Sequence, residues 1–165
     1  MTARLTVTAA TADDWPVLRA LRLAALADAP DAFDSSLAVE QGFGEEDWRA
    51  RLRPGGQRLA WVDGVPVGVA RGIRHRVEHH LVSMWVSPPA AGAGWPAGLV
   101  EGVVDWAREQ CAPRLYLWLV GENEAARRLY LRCGFALTGP RQPLPSRPWQ
   151  VEHWQVEQQY ALEPS

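Results

Sequence analysis

The chain has 165 residues, 47% of them hydrophobic, and a formal net charge of −2. These values fit a single domain with a sizeable core, and they argue against nonspecific nucleic-acid binding, which needs a basic surface. All 17 basic residues are arginine, so the chemistry cannot use a lysine as Schiff base, general base or phosphate clamp.

The N-terminal segment and the cysteines bear on the compartment of the protein. Charged residues such as Asp13 and Arg19 interrupt the apolar residues near the N-terminus, so we expect neither a signal peptide nor a membrane span. Cys111 and Cys133 are expected to be buried free thiols in a reducing cytosol. No group of residues has the spacing of a metal site, and the protein is predicted to be cytoplasmic.

Hydrophobic periodicity and turn residues predict a mixed α/β domain with a mixed sheet that spans residues 1–165. The order is β-α-α-β-β-β-α-β-α-β-β. The strands are expected at 4–9, 58–62, 65–73, 79–86, 114–120, 135–139 and 151–160, and those at 58–62 and 65–73 form a hairpin with an Asp63-Gly64 turn. The helices are expected from Trp15 to about Asp28, at 35–53 with a break at 42–44, and at 96–110 and 124–133. The early strands are expected to be antiparallel, and those at 79–86 and 114–120 parallel because a helix connects them.

The glycine-rich turn PPAAGAGWPAG at 88–98 is typical of an anion-binding site, since it lies between a strand and a helix. A P-loop is excluded because it needs a lysine at the helix start. Gly92, Gly94 and Ala97 match the G-x-G-x-x-A dinucleotide fingerprint. That pattern normally opens a doubly wound domain, whereas hairpin strands come before it here.

Two separate segments give a third interpretation of this turn. VSPPAAGAGWPAGLV resembles motif A of the GNAT N-acetyltransferase superfamily, [QR]-x-x-G-x-[GA], in degenerate form. NEAARRLYLRCGF resembles the N-x-x-A-x-x-[LF]-Y-x-x-x-G-F segment of the same family. The residues that match the second pattern are Asn123, Ala126, Leu129, Tyr130, Gly134 and Phe135.

This resemblance implies the GNAT fold, in which the two parallel central strands splay apart and acetyl-CoA lies in the gap. Pantetheine would pair with the backbone of the first strand, and the pyrophosphate would rest on the N-terminus of the following helix. The cofactor-binding residues that the resemblance implies are Met84, Trp85, Val86, Ala91, Gly92, Ala93, Gly94, Trp95, Ala97, Asn123, Ala126 and Tyr130.

The chain departs from motif A at two positions. Ala91 stands where the family has Gln or Arg, and Pro96 stands at the final Gly or Ala position, where it removes one N–H donor. Arg127 and Arg128 are candidates to compensate by reaching the phosphates, although a solvated helix face explains them as well.

The resemblance also implies catalytic roles. Tyr130 matches the tyrosine whose hydroxyl meets the CoA sulfur, and it is the expected general acid. Family members often use a glutamate near the start of the strand at 79–86 as general base, and His80 is the candidate there. Strict alternation would place His80 on one face with Val82 and Met84, and His79 on the other.

The acceptor is expected to be a small-molecule or peptide amine. Phe33 and Asp34, in the loop between the first two helices, and Trp154 near the last strand are the candidate substrate-binding residues. An acetyl-CoA-dependent N-acetyltransferase is the favoured function. A degenerate relative that binds CoA without turnover is the alternative, and many GNAT proteins form homodimers, so a homodimer stays open.

Overall fold

The computed structural model describes residues 3–33, 35–88, 95–120, 123–143 and 156–164. Helices and strands alternate in these ranges much as the sequence predicts. In chain order they are β1 (Leu5–Ala9), α1 (Trp15–Asp28), α2 (Leu37–Gln41), α3 (Glu45–Leu52), β2 (Gln57–Val62), β3 (Val65–His75), β4 (Glu78–Val86), α4 (Trp95–Glu109), β5 (Leu115–Val120), α5 (Glu124–Arg132), β6 (Ala136–Pro143) and β7 (Val156–Leu162).

The described strands form one seven-stranded sheet in the order β1-β2-β3-β4-β5-β7-β6. All neighbouring strands are antiparallel except β4 and β5, which are parallel and are joined through α4. The predicted α/β class, the element order and the parallel central pair are therefore confirmed.

Local turn chemistry fixes several boundaries. Asp63 and Gly64 have φ angles of 50° and 82°, as a type I′ hairpin turn requires. Gly134 follows α5 with a φ of 101°, and Asn123 caps the same helix by accepting a hydrogen bond from the Ala126 N–H at 3.1 Å. These turns and caps lie where the sequence predicts them.

The C-terminal hairpin differs from the prediction. The segment from 139 onward was expected to be a loop because it is rich in proline, but β6 continues to Pro143 and pairs with β7. The register shifts between Leu137 and Arg141, and an irregularity of that kind accommodates a glycine and a proline within an edge strand.

β4 contains a bulge that alternation does not predict. Val69 faces Trp85 and Arg71 faces Val82, so Ser83 and Met84 together lie opposite a single residue of β3. Ser83 has a φ of 56°, which marks the extra residue. The expected shared face of His80, Val82 and Met84 is therefore wrong for Met84. After the bulge, Met84 packs on the α4 side and Trp85 on the α1 side.

Helices cover both faces of the sheet. α4 buries its apolar side against one face, with Leu99, Val100 and Val103 fully buried. α1 and α3 cover the other face through a cluster that includes Leu18 and Trp48. The two layers hold the central strands in place, so the ends of β4 and β5 can diverge without loss of the core.

Candidate active site

The site begins where the two parallel strands separate. β4 pairs with β5 only from His79 to Leu81, although β4 continues to Val86. The Ser87 N–H donates to the Val67 carbonyl at 2.8 Å, so by alternation the N–H of Val86 points away from β3, toward the gap. The gap thus presents a backbone donor that no strand pairs.

A cavity of about 720 Å³ lies at this gap, against the end of β4, and its volume is typical of small-molecule sites. Its walls come from the α1–α2 segment, the end of β4, the first turn of α4 and the inner face of α5. The described lining residues are Ala29, Ala32, Phe33, Met84, Trp85, Val86, Pro96, Ala97, Asn123, Ala125, Ala126, Leu129, Tyr130 and Arg132.

The N-terminus of α4 opens into this cavity. Pro96 and Ala97 lie in the first turn of the 15-residue helix and line the wall. The unpaired N–H groups and the dipole of such a helix end favour an anion. Trp95 begins the helix but does not line the cavity. Arg132, in the last turn of α5, adds a cation to the lining of the same cavity.

Tyr130 lies between the two helices that flank the gap. Its ring is 7% exposed, packs edge-to-face on Phe135 with centroids 5.9 Å apart, and lines the cavity. Burial raises the pKa of Tyr130, with a smaller contribution from Cys133. The hydroxyl therefore stays protonated at neutral pH, as a proton donor must.

A second, smaller cavity of about 100 Å³ adjoins the first and reaches between the two strands, since Val82 of β4 and Leu117 of β5 both line it. The residues that line both cavities are Ala32, Phe33, Met84, Asn123, Ala126 and Tyr130, so the two form one continuous site. The family patterns and the predicted acceptor residues include all of these except Ala32.

Trp85 connects β4 to the C-terminal end of α1 beside the site. Its Nε1–H donates to the Asp28 carboxylate at 3.0 Å, and its ring packs among Leu26, Ala29 and Phe33. The hydrogen bond joins β4 just after the bulge to the last residue of α1. No sequence pattern indicates this contact, since it depends on the bulge at Ser83.

The two adjacent histidines of β4 have different surroundings. His79 faces α4, where its ring packs on Trp106 at 5.5 Å, and burial, then the charges of Arg74 and His80, lower its pKa. His80 faces the α1 side, beside Tyr116. Its Nε2 lies 3.0 Å from the Glu78 carboxylate.

The tautomer of His80 follows from this contact. An ionised carboxylate only accepts hydrogen bonds, so Nε2 carries the hydrogen and Nδ1 of the neutral ring is left as a base. His80 is 9% exposed and lies next to the cavity rather than in its wall.

Several expected site residues lie outside the described part of the chain. These residues are Asp34, Ala91, Gly92, Ala93, Gly94 and Trp154. The lining residues that sequence reasoning did not single out include Ala29, Ala32, Ala125 and Arg132 in the larger cavity and Ser83, Leu117, Trp118 and Leu119 in the smaller one. The spacing of Ala125, Leu129 and Arg132, at i, i+4 and i+7 of α5, places them on one stripe of the helix and was a usable signal for Ala125 and Arg132.

Other candidate groups are accounted for elsewhere. Arg127 and Arg128 are exposed and pair with Glu124 at 3.1 and 3.5 Å, as residues of a solvated helix face would.

The two cysteines differ in exposure. Cys111 is exposed, contrary to expectation, because it lies in the turn after α4 with a φ of 55°. Cys133 is half-buried. In the described ranges no group of three potential metal ligands occurs, and no helix there has the length and apolar character needed to cross a membrane.

The family comparison agrees with this geometry. The model of the acetyltransferase (GNAT) family matches residues 19–135, which is most of the chain. The match begins within α1 and extends past α5, so it includes every described wall of the site. No significant match exists among curated protein sequences.

Solved structures share the fold over nearly the whole chain. An acetyltransferase of the GNAT family from Streptococcus pneumoniae has a TM-score of 0.78 at 20% identity, covering 97% of this chain and 99% of that one. The protein YncA from Salmonella typhimurium, solved with its cofactor acetyl-CoA, has a TM-score of 0.76 at 19% identity, covering 98% and 95%. A ribosomal-protein-alanine N-acetyltransferase from Brucella melitensis reaches 0.72 at 22% identity, covering 96% and 99%. At these identities the likeness shows the fold alone.

Proposed function

The chain belongs to the GNAT acetyltransferase family, and from that premise we propose that it transfers the acetyl group of acetyl-CoA to a primary amine by direct attack in a ternary complex. The observation that carries the proposal is the open gap between β4 and β5, with Tyr130 buried in its wall. The larger cavity is lined from the α1 side by Phe33 and from the α4 side by Ala97, which supports an approach of the donor and the acceptor from opposite faces.

The described residues fit the donor. Val86 turns an unpaired backbone N–H into the gap, where it would bind pantetheine or the thioester carbonyl. The first turn of α4 and Arg132 supply the positive end of the cavity for the pyrophosphate. Bound acetyl-CoA supplies an activated acyl group, and the chain supplies its orientation.

Pro96 makes this anion site weaker than a typical one. It lines the cavity in the first helical turn, where it offers no N–H. The remaining N–H groups and Arg132 would still bind the donor. The alternative is a protein of the same fold that binds CoA without turnover. Assays with a panel of amines separate this alternative from catalysis.

Tyr130 would protonate the departing thiolate. Because its pKa is raised by burial, the hydroxyl holds its proton until a strongly basic group forms beside it. The presence of Tyr130 in the lining of both cavities supports this role.

His80 would remove the proton from the incoming ammonium. Its Nδ1 is available because Glu78 holds Nε2, and a carboxylate behind an imidazole stabilises the cation that forms. Since His80 lies next to the cavity rather than in its wall, a water would relay the proton. Glu78 is a positioning residue in this scheme.

Thiol release from acetyl-CoA across a panel of primary amines tests the proposal. We expect turnover by the wild-type protein, and a loss of about 10²-fold or more in kcat for Tyr130→Phe with little change in the KM for acetyl-CoA. Tyr160→Phe is the matched control, because Tyr160 is also buried but lines neither cavity. CoA binding without thiol release for any amine would favour the non-catalytic alternative.

A further inference from the structure

A group of charged side chains is buried between α1, α2, α3 and β3. Glu40 is fully buried and accepts two hydrogen bonds from Arg22, Nε to Oε1 and Nη2 to Oε2, both at 3.0 Å. Arg51 donates to the same carboxylate at 2.8 Å. The carboxylate of Glu40 is thus shared between two guanidinium groups, and its negative charge cannot neutralise both.

Arg22 lies directly behind the wall of the site. Its guanidinium stacks on the ring of Phe33 at 4.8 Å from the centroid, and Phe33 lines both cavities. Arg22 is 7% exposed, and its Nη1 has no hydrogen-bond partner among the described residues. Such an unpartnered buried donor is costly to maintain.

Arg71 adds a third cation on the same side of the sheet. It lies two residues from Val69, which packs in the α1 cluster, and directly opposite Val82. Opposite residues of an antiparallel pair share a face, so Arg71 lies beside Val82, which lines the smaller cavity. His80 lies on this face as well, two positions along β4.

The charge around Arg71 is uncompensated within the described part of the chain. Burial, then the nearby charges of Arg51 and Arg22, lower the pKa of Arg71, and no carboxylate of the described residues forms an ion pair with it. A half-buried guanidinium surrounded by like charge favours an anion that comes from outside.

We propose that the acceptor carries a carboxylate near its amine and that Arg71, supported by Arg22, binds this carboxylate. A guanidinium presents a planar pair of donors that matches a carboxylate. The substrate class would then be amino acids or peptides whose acidic group lies close to the reacting amine. The inference rests on the proposed acetyl transfer and narrows its acceptor.

Matched acceptor pairs test the proposal. Each amino acid is compared with its own carboxamide, which keeps the amine and removes the charge. For the wild-type protein we expect kcat/KM to be at least about tenfold higher for the acid than for the amide. Arg71→Met should abolish this ratio mainly through the KM of the acid, and Arg71→Lys should retain part of it. The KM for acetyl-CoA should not change.

Arg74→Met is the control, since Arg74 is an exposed arginine of the same strand on the opposite face. It should keep the wild-type ratio of acid to amide. Equal turnover of acids and amides by the wild-type protein would overturn the inference while leaving acetyl transfer intact. Absence of turnover with every amine would instead count against the proposed function.

Thermal unfolding without ligand gives a readout that does not depend on activity. If Arg71 is kept for binding rather than for stability, Arg71→Met should leave the Tm unchanged or raise it, because an unpaired cation is removed from a partly buried position. A clear fall in Tm, together with equal losses for acids and amides, would make Arg71 a structural residue and overturn the proposal.

Discussion

Replacing Glu40 by glutamine is the most informative test of the buried charges on the α1 side of the sheet. The carboxylate is 0% exposed and holds both Arg22 and Arg51 at hydrogen-bond distance. Glutamine keeps the size of the side chain but removes the charge. Two guanidinium groups would then be left without a counter-ion among the described residues, one of them almost completely buried.

The expected loss is large for a single substitution. Removing one partner of a buried ion pair costs about 3–5 kcal/mol in the free energy of unfolding. For a chain of this length, each kcal/mol lowers the Tm by about 2–4 °C, so the Tm should fall by at least about 6 °C. Glu45→Gln is the control, because Glu45 pairs with Arg49 at an exposed position and should cost less than about 1 kcal/mol.

The dependence on pH gives a second check on the same residue. Burial alone would raise the pKa of Glu40, but hydrogen bonds from Arg22 and Ser35 and the charges of Arg22 and Arg51 more than offset it and lower the pKa. A carboxyl with a lowered pKa in the folded protein stabilises it above the pKa of the unfolded chain, and this stability is lost as the pH falls through the folded-state pKa.

Urea unfolding of the wild-type protein and Glu40→Gln at pH 7 and in acid measures both effects. The difference in free energy should be largest at pH 7 and should shrink in acid, where the wild-type carboxylate begins to take up a proton. A difference below about 1 kcal/mol at pH 7, or one that grows in acid, would refute the reasoning.

Three further predictions concern packing, the anion site and the base. Gly72→Ala should destabilise the fold by about 1–3 kcal/mol, because a Cβ there would lie 2.2 Å from the Trp106 ring; an unchanged urea midpoint would contradict this packing. Pro96→Ala restores an N–H at the cavity and should tighten acetyl-CoA binding about tenfold in calorimetry, whereas Pro16→Ala, in the first turn of α1, should not. His80→Gln should lower kcat/KM most at neutral pH and less as the pH approaches the pKa of the acceptor amine; a pH-independent loss would exclude His80 as the base.

Sequence reasoning reached the fold because its signals are local. The turn at Asp63-Gly64, the cap at Asn123 and the glycine at 134 each determine a boundary through the backbone conformation of one or two residues. The separation of β4 from β5 came instead from the family resemblance, since no residue of either strand predicts where their pairing ends.

The acceptor side was less accessible to sequence reasoning because it depends on contacts between distant residues. Ser83 adopts a positive φ without being glycine, so the bulge that turns Trp85 toward Asp28 has no sequence signal. The association of Arg22 with Glu40 brings together residues 18 positions apart, and an isolated arginine on an amphipathic helix gives no indication of it.

The central claim is that acetyl-CoA binds in the gap between β4 and β5, and calorimetric titration tests it most directly. Acetyl-CoA and CoA should both bind saturably to the wild-type protein, and NAD should not. Ala126→Phe, which places a ring in the wall shared by both cavities, should abolish binding while circular dichroism shows a folded protein. Absence of binding of either CoA form at millimolar concentration, or unchanged affinity in folded Ala126→Phe, would contradict the account.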